Sequence, residues 1–217
     1  MLKTELYLTQ RALWPQSGNH IMAQYDDEAV VVYQAYPPAI GQFATQHGYL
    51  GGDEYKLNRM SWIKPNFLWM MHRSGWGAKA GQEVILALWI KRAKFEYILE
   101  QAVHSSFVPS VYGTVEVWKE AIANSPVRLQ WDPDYDPSDQ RIERRAIQLG
   151  LSGDILKQYA QGDWIIHIED VTVFAHAQKE NAKSSRYEKL LVPRERVYPA
   201  TNAEVAKRLR LSSFAND

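Results

Sequence analysis

The chain has 217 residues, with 25 lysines and arginines, 25 aspartates and glutamates, and no cysteine. A chain of this length can form one domain with a substantial hydrophobic core, or two small ones. The balanced charge excludes an overall field that attracts nucleic acid or membrane, and the missing cysteine excludes disulfides and cysteine-ligated metals. The N-terminus lacks a signal-peptide apolar region, and no apolar run reaches about 18 residues. We therefore expect a cytoplasmic protein with no membrane partner.

The first regular element that the sequence predicts is a strand over residues 29–36, which are mostly β-branched and aromatic. Two prolines follow it, and Pro38 can occupy the first turn of a helix over residues 39–47. Gly48 is a helix stop signal. The pattern predicts a strand that turns directly into a helix.

The end of this strand carries a glutamine among aromatic residues. Side chains alternate along a strand, so Tyr33 and Ala35 share one face while Gln34 and Tyr36 share the other. A glutamine in this position can hydrogen-bond a planar amide or a base of a ligand. It can equally be a structural amide that ties down a loop.

Residues 59–77 form the stretch around which we expect the chain to be organised. It holds three of the eight tryptophans and three of the five methionines, and Arg59, Lys64 and Arg73 are its only certain charges. A segment this apolar should be buried. Buried cations then need an anion to offset their desolvation. That anion is either a carboxylate of the protein, in a core element with ion pairs, or a bound phosphate.

Charge is unevenly distributed along the chain. Residues 59–94 contain seven lysines and arginines and one acid, Glu83, whereas residues 132–139 contain four aspartates and no base. In a neutral protein two such segments most often pair with each other, and a basic cleft is the less common alternative.

The remaining elements show no regular alternation of strand and helix, no repeat and no low-complexity linker, so we predict one α+β domain over residues 1–217, a mixed sheet flanked by helices. In chain order we expect an extended segment (58–63), a helix or buried strand (66–74), a central strand (83–90), helices (93–104 and 114–124), a strand (127–131), an Asp- and Pro-rich loop (132–138), a strand or helix end (144–149), a helix capped by Ser152 (153–160), a strand (164–168), a helix (170–183), a short apolar segment (190–192) and a surface helix (201–209) capped by Thr201 or Asn202.

No strong chemical motif is present. The sequence has no P-loop, no glycine-rich dinucleotide fingerprint and no hydrolase elbow, and its six histidines lack metal-ligand spacing, so we expect no metal. Polar residues do lie at the C-terminal ends of two predicted strands: Gln130 and Asp132 at one, Glu169 at the other. Carboxylates at strand ends can be catalytic, but Asp-Pro is also a turn signal, and Asp170 can simply cap a helix.

Four segments resemble one bacterial and fungal family, the domain of unknown function family 4291. They are residues 33–36, 59–76, 130–133 and 145–151. The similarity covers about residues 20–195 and leaves a C-terminal helix and a frayed tail over residues 196–217.

The family is placed with the ADP-ribosyltransferase fold, so the resemblance implies that NAD is a substrate. Gln34 would take the first-strand place that His or Arg usually holds. The acid that stabilises the oxocarbenium-like transition state would be Asp132, Asp134 or Glu169, with Gln130 as a non-acidic replacement. The resemblance implies cofactor contacts from Arg59, Lys64 or Arg73 to the pyrophosphate, stacking by Tyr36, Trp62 or Trp76, and Tyr33 and Ser74 beside them.

Two other functions stay open. The same basic and aromatic residues would serve a non-catalytic nucleotide- or RNA-binding module. A purely structural partner protein is the third possibility. For a transferase, the acceptor of ADP-ribose, whether protein, nucleic acid or small molecule, is not defined by the sequence.

Overall fold

The computed structural model describes residues 2–200 and 202–213, and these form the predicted α+β architecture. The strands are β1 (Thr4–Leu6), β2 (Gly18–Asn19), β3 (Met22–Ala23), β4 (Ala29–Tyr36), β5 (Ser61–Ile63), β6 (Val84–Lys91), β7 (Ala102–His104), β8 (Val127–Tyr135), β9 (Arg141–Leu151), β10 (Ile165–Asp170), β11 (Leu191–Pro193) and β12 (Arg196–Val197). The helices are α1 (Tyr7–Arg11), α2 (Pro38–His47), α3 (Phe67–Ser74), α4 (Arg92–Gln101), α5 (Pro109–Tyr112), α6 (Val115–Asn124), α7 (Gly153–Gln161), α8 (Thr172–Lys179) and α9 (Ala203–Leu209), with a 3-10 turn at Ser184–Lys189.

Two sheets organise the fold. In the first, β6 lies between β4 and β10, and both neighbours run antiparallel to it. In the second, the long strand β9 pairs with β8 along one side and with β2 and β5 along the other, while β7 runs parallel to β8 at the edge. Two short pairs, β1 with β11 and β3 with β12, hold the N-terminal segment against the C-terminal part.

The segment at β5 joins the two sheets. Residues of β5 pair with β9, and the next residue, Lys64, forms a backbone bridge to Tyr33 of β4. The amide of Tyr33 donates to the Lys64 carbonyl at 2.7 Å, and the Lys64 amide donates back at 3.3 Å. The end of β4, the segment 61–64 and the C-terminal end of β9 therefore lie side by side.

The first sheet is buried on both faces. Val30 and Val32 of β4 belong to a core shared with the second sheet, whereas Val31 and Tyr33 belong to a core on the opposite face. β6 alternates in the same way, which confirms the prediction that it is central and apolar on both sides. The predicted separation of Tyr33 from Gln34 follows from this alternation.

Local signals explain the two helices nearest the site. In α2, Pro38 lies in the first turn and Gly48 ends the helix at φ 76°, as predicted. In α3, the Asn66 side chain accepts the amide of Trp69 at 2.7 Å, and Gly75 closes the helix in the left-handed region at φ 61°. The structure thereby decides that residues 67–74 are helix and not strand.

Two predicted elements change type in the structure. The helix expected over 93–104 ends at Gln101, and Ala102–His104 forms strand β7 beside β8. The prediction of a loop over 132–138 was wrong for its first half, because strand β8 continues to Tyr135 and accommodates Pro133 next to a bulge. In both segments a distant strand supplies backbone hydrogen-bond partners that local pattern cannot reveal.

Smaller corrections concern helix ends. The helix expected over 170–183 spans Thr172–Lys179, although Asp170 does accept the amide of Thr172. Ser152 precedes α7 but forms no cap hydrogen bond; its hydroxyl donates to the Pro126 carbonyl instead. Asn202 caps α9 as predicted, and the alternative cap, Thr201, lies outside the described residues, as does the end of the tail. No helix among the described residues is long and apolar enough to cross a membrane.

Candidate functional site

A cleft of about 420 Å³ lies where the end of β4, the segment at β5 and helix α3 meet. The wall also includes Tyr55 and Ser61, and Glu54 is the only acidic residue among the described residues that line it. The fold thus brings the polar end of the first long strand and the basic aromatic stretch into one site. Six of the residues that the sequence singled out line it: Gln34, Tyr36, Arg59, Trp62, Lys64 and Arg73.

Gln34 holds the floor of the cleft together. Its side chain is buried, and its Nε2 donates to the Ser61 hydroxyl at 2.8 Å and to the Trp62 carbonyl at 3.2 Å. Its Oε1 accepts the hydroxyl of Tyr159 at 2.8 Å. Because both ends of the amide form hydrogen bonds, Gln34 fixes β5 against β4. Of the two roles that the sequence allowed, this is the structural one, an amide that ties down a neighbouring segment.

Aromatic rings form one wall of the cleft. The Tyr36 hydroxyl lies 3.1 Å from the Ser61 hydroxyl, and the Tyr36 and Tyr55 rings pack edge to face with centroids 6.0 Å apart. Burial raises the pKa of both phenols, so both keep their proton at neutral pH. Together with the half-buried Trp62, they offer flat apolar surface and hydroxyl groups to a planar ligand.

Lys64 is the buried cation of the cleft. Its side chain is 7% exposed, its Nζ donates to the Trp62 carbonyl at 3.1 Å, and the ammonium lies 5.4 Å from the centroid of the Trp69 ring. Burial lowers its pKa to about 7; the charge of Arg73 lowers it further, and that of Asp132 opposes the shift. Lys64 therefore titrates near neutral pH, and a bound anion would favour its charged form.

Arg59 and Arg73 differ from Lys64 in that both are exposed. The expectation that all three cations of this stretch would be buried is therefore wrong for these two. Arg59 precedes β5 in a loop, and Arg73 lies in the last turn of α3, on the side away from its buried face. Within residues 2–200 and 202–213, none of the three forms a salt bridge.

Among the described residues, the acidic segment 132–139 forms no salt bridge with Arg59, Lys64 or Arg73. Asp134 is buried in a salt bridge with Arg144, at 2.6 Å, and Asp139 pairs with His72, a partly exposed residue of α3. The less common alternative, a basic cleft, is the arrangement found. Such a cleft has the geometry to receive an anion.

Asp132 lies close enough to the cleft for its charge to affect Lys64. On β8 its carboxylate accepts Nε2–H of Gln130 at 2.8 Å and Nε2–H of Gln148, from β9, at 2.6 Å. Asp132 and Gln130 are half-buried, and neither lines the cleft. The two amides hold the carboxylate in a fixed orientation.

Two of the other predicted site residues are internal. Tyr33 is fully buried in the core on the far side of β4, where its ring packs edge to face on Phe67. The hydroxyl of Ser74 donates to the Met70 carbonyl at 2.9 Å and accepts the Gly77 amide at 3.2 Å, so it closes the end of α3. Neither lines the cleft.

Trp76 and Glu169 lie away from the cleft as well. Trp76 lines a different cavity, of about 370 Å³, with Ser138 and Lys179. Glu169 lies in β10 opposite Ala87, on the face of the first sheet that Tyr33 shares, and accepts the amide of Leu2 at 3.2 Å. Of the candidate acids, Asp132 is the one that interacts electrostatically with a residue of the cleft.

Sequence reasoning missed three residues at or beside this site. Ser61 and Tyr159 bind Gln34 from segments far along the chain, and Gln148 orients Asp132. Ser61 and Gln148 both lie inside segments that carried the family resemblance, which was the one available signal. Among the described residues, no three His, Asp or Glu side chains cluster so as to hold a metal ion.

The fold and the cleft define an α+β protein with a basic cleft that is walled in part by aromatic rings. Residues 20–198 match the family described as Domain of unknown function (DUF4291), and the chain belongs to that family. No curated protein matches the sequence.

Proposed function

We propose that the cleft binds NAD, and that the protein is an ADP-ribosyltransferase-like enzyme that transfers ADP-ribose to an acceptor. The observation that carries the proposal is the convergence of three cations, Arg59, Lys64 and Arg73, on a cleft walled by Tyr36 and Trp62; none of the three has a salt-bridge partner among the described residues. A dinucleotide presents a pyrophosphate and flat rings, which match these two sets of groups.

Each group has a distinct role in this proposal. Arg73 and Arg59 bind the pyrophosphate from the exposed side of the cleft, and Lys64 does so from its buried floor. Tyr36 or Trp62 stacks on the nicotinamide or adenine ring. Gln34 is a positioning residue, since its amide is engaged with Ser61 and Tyr159 and holds the segment that carries Trp62 and Lys64.

In the transfer step, the bond between the ribose anomeric carbon and the nicotinamide nitrogen breaks, and the bonding electrons leave with nicotinamide. Positive charge develops on the ribose, and a nearby carboxylate stabilises it. The acceptor then forms a bond to the anomeric carbon and loses a proton. Among the candidate acids we assign the stabilising role to Asp132. Its charge acts on the pKa of Lys64 in the cleft, and two glutamine amides orient its carboxylate.

Calorimetry with NAD, and with ADP-ribose and ATP for comparison, tests the binding step. We expect saturable NAD binding that Arg73→Gln weakens about tenfold, as for loss of a charge-assisted phosphate contact. Arg141→Gln is the matched control, because Arg141 is equally exposed and lies outside the cleft. Absence of NAD binding at millimolar concentration, with the fold intact, would reject the proposal.

Nicotinamide release from NAD tests the transfer step separately. Asp132→Asn should abolish release and leave NAD affinity nearly unchanged, because the carboxylate acts on the charge that develops during the reaction. Release at the wild-type rate would remove Asp132 from the mechanism.

A second candidate is a non-catalytic nucleotide- or RNA-binding module. Glu54 is the only acid among the described residues that line the cleft, which favours binding without transfer. Under the resemblance to ADP-ribosyltransferases, Gln34 would stand where His or Arg is usual, which favours the same candidate. Tight nucleotide binding with no nicotinamide release would support this candidate. Titration with short single-stranded RNA over a salt series would then distinguish RNA binding from nucleotide binding, since phosphate contacts make RNA binding salt-dependent.

A further inference from the structure

A second cavity, of about 360 Å³, lies at the edge of the second sheet. It is bounded by the end of β7, the facing part of β8 and the residue that follows α9, and it shares no lining residue with the cleft described above. Trp131 forms part of its wall, and its indole Nε1–H donates to the Leu209 carbonyl at 2.9 Å. The described residues that line this cavity include no acid.

Two arginines line the cavity. The half-buried Arg145 donates through Nη2 to the Trp131 carbonyl at 2.8 Å, which fixes its guanidinium beside the wall. Arg210 lies at the C-terminal end of α9, and its backbone carbonyl accepts Nδ2–H of Asn19 at 3.0 Å. Neither guanidinium forms a salt bridge within the described part of the chain.

His104 lines the same cavity and has a buried ring nitrogen that lacks a partner among the described residues. The Tyr112 hydroxyl accepts the backbone N–H of His104 at 3.0 Å and lies 3.1 Å from the ring Nδ1. That hydroxyl can therefore donate its own proton to Nδ1, which leaves the proton of the neutral ring on Nε2. The side chain is 5% exposed, and its Nε2 has no hydrogen-bond partner in the part of the chain that the structure describes.

The ring of His104 is neutral at physiological pH. Burial, reinforced by the charges of Arg210 and Arg208, lowers its pKa to about 4. The cavity thus combines two guanidinium groups with a buried N–H donor that lacks an acceptor. An unsatisfied buried donor costs about 1–3 kcal/mol, and a ligand acceptor would offset this cost.

We infer that this second cavity binds a phosphate monoester, with Arg145 and Arg210 against its charge and Nε2–H of His104 donating to one of its oxygens. Guanidinium groups match phosphate oxygens in geometry as well as in charge. The volume exceeds that of a phosphate group, so the cavity has room for the organic part of such a ligand beside Trp131. This inference does not depend on NAD binding in the first cleft.

Nuclear magnetic resonance of the tryptophan indole N–H groups tests the inference on the full chain. Inorganic phosphate and glycerol 3-phosphate are the probes, with glycerol as the uncharged comparison. We expect a saturable shift of the Trp131 indole signal with both phosphates and none with glycerol. A larger affinity for glycerol 3-phosphate would identify an organic monoester as the ligand, and equal affinities would identify the phosphate ion itself.

Variants decide where the probe binds. Arg210→Gln should weaken binding about tenfold, and it should leave the fold intact because Arg210 is exposed and its side chain makes no described hydrogen bond. Arg145→Gln is a second variant with the same expected effect. Arg141→Gln is the matched control, because Arg141 is exposed and lines neither cavity, and it should leave the phosphate-induced shift of the Trp131 signal unchanged. No saturable shift at millimolar phosphate, or a shift that survives both variants at the second cavity, would overturn the inference.

Discussion

Lys64 combines a stability cost with a place in the floor of the cleft. It is buried, and within the described part of the chain its ammonium has a backbone carbonyl and the face of a tryptophan ring as its partners. A buried ammonium without a carboxylate is unfavourable unless it loses its proton. We interpret its place in the cleft floor as a site that becomes favourable when an anion binds.

The protonation of Lys64 makes a prediction about stability. Its pKa falls from 10.5 to about 7 on folding, so the unfolded chain binds more protons between these two pH values. The contribution of this residue to the free energy of unfolding should therefore rise with pH across that window, by up to about 1.4 kcal/mol per unit, and be lowest below pH 7. Lys64→Met removes the charge and keeps the length of the side chain.

We expect Lys64→Met to be more stable than the wild type by about 4 kcal/mol at pH 6, with the difference shrinking toward pH 10. Urea unfolding at several pH values measures this. Lys56→Met is the control, because Lys56 lines the same cleft but is exposed, and it should change stability little at any pH. A Lys64→Met protein less stable than the wild type at pH 6 would show that the charged form is well accommodated.

At the scale of elements, helix α3 positions part of the site. Asn66 starts it by accepting the amide of Trp69, and the carboxyl group of Glu195 accepts the amide of Phe67 at 2.6 Å. Burial raises the pKa of Glu195 well above its usual value. The last turn of α3 then carries Arg73 to the cleft. The start of α3 and Arg73 are therefore coupled through one short helix.

Asn66→Ala should destabilise the protein by about 1–2 kcal/mol, since an N-cap hydrogen bond inside the protein is lost. It should also weaken NAD binding, because α3 would no longer hold Arg73 in place. Thermal unfolding and calorimetry measure the two effects.

The matched control for this prediction is Asn202→Ala. Asn202 caps α9 by accepting the amides of Glu204 and Val205, far from the cleft. Its loss should lower stability by about 1 kcal/mol and leave NAD affinity unchanged. Equal effects of both variants on NAD affinity would show that α3 does not position Arg73.

At the scale of the whole molecule, a buried ion pair connects the N-terminal segment to the second sheet. Arg144 of β9 binds Asp134 of β8 through Nε and Nη2, at 2.7 and 2.6 Å, and both side chains are almost completely buried. Its Nη1 also donates to the Pro15 carbonyl at 3.1 Å, and its guanidinium lies 5.0 Å from the centroid of the Trp14 ring. Burial raises the pKa of Asp134 despite the opposing charge of Arg144.

Arg144→Met should therefore destabilise the protein by about 3–5 kcal/mol, because it leaves the Asp134 carboxyl buried without its cation. The double variant Arg144→Met/Asp134→Asn should recover part of this loss. Lys157→Met is the control: Lys157 pairs with Asp154 at 3.0 Å on the surface, and its loss should cost less than about 1 kcal/mol. Similar losses from both single variants would contradict a special role for the buried pair.

Much of the fold was accessible from local pattern. The strands over 29–36 and 83–90, the helix over 39–47 with its stop at Gly48, and the helix over 114–124 depend on side-chain periodicity and terminal residues, which a short window contains. The N-terminal strand β1 and helix α1 escaped prediction, because β1 is defined by its pairing with β11 near the other end of the chain.

The candidate site, too, could be predicted only in part from local sequence. The sequence by itself determined that the stretch 59–77 is basic and aromatic, and that Gln34 and Tyr36 share a face of their strand, because composition and the two-residue period of a strand are local properties. Only the tertiary structure decided that Lys64 is buried while Arg59 and Arg73 are exposed, and that Trp76 and Glu169 lie away from the cleft. Burial and proximity come from packing between distant segments, here the bridge from Tyr33 to Lys64 that sets the two sheets side by side.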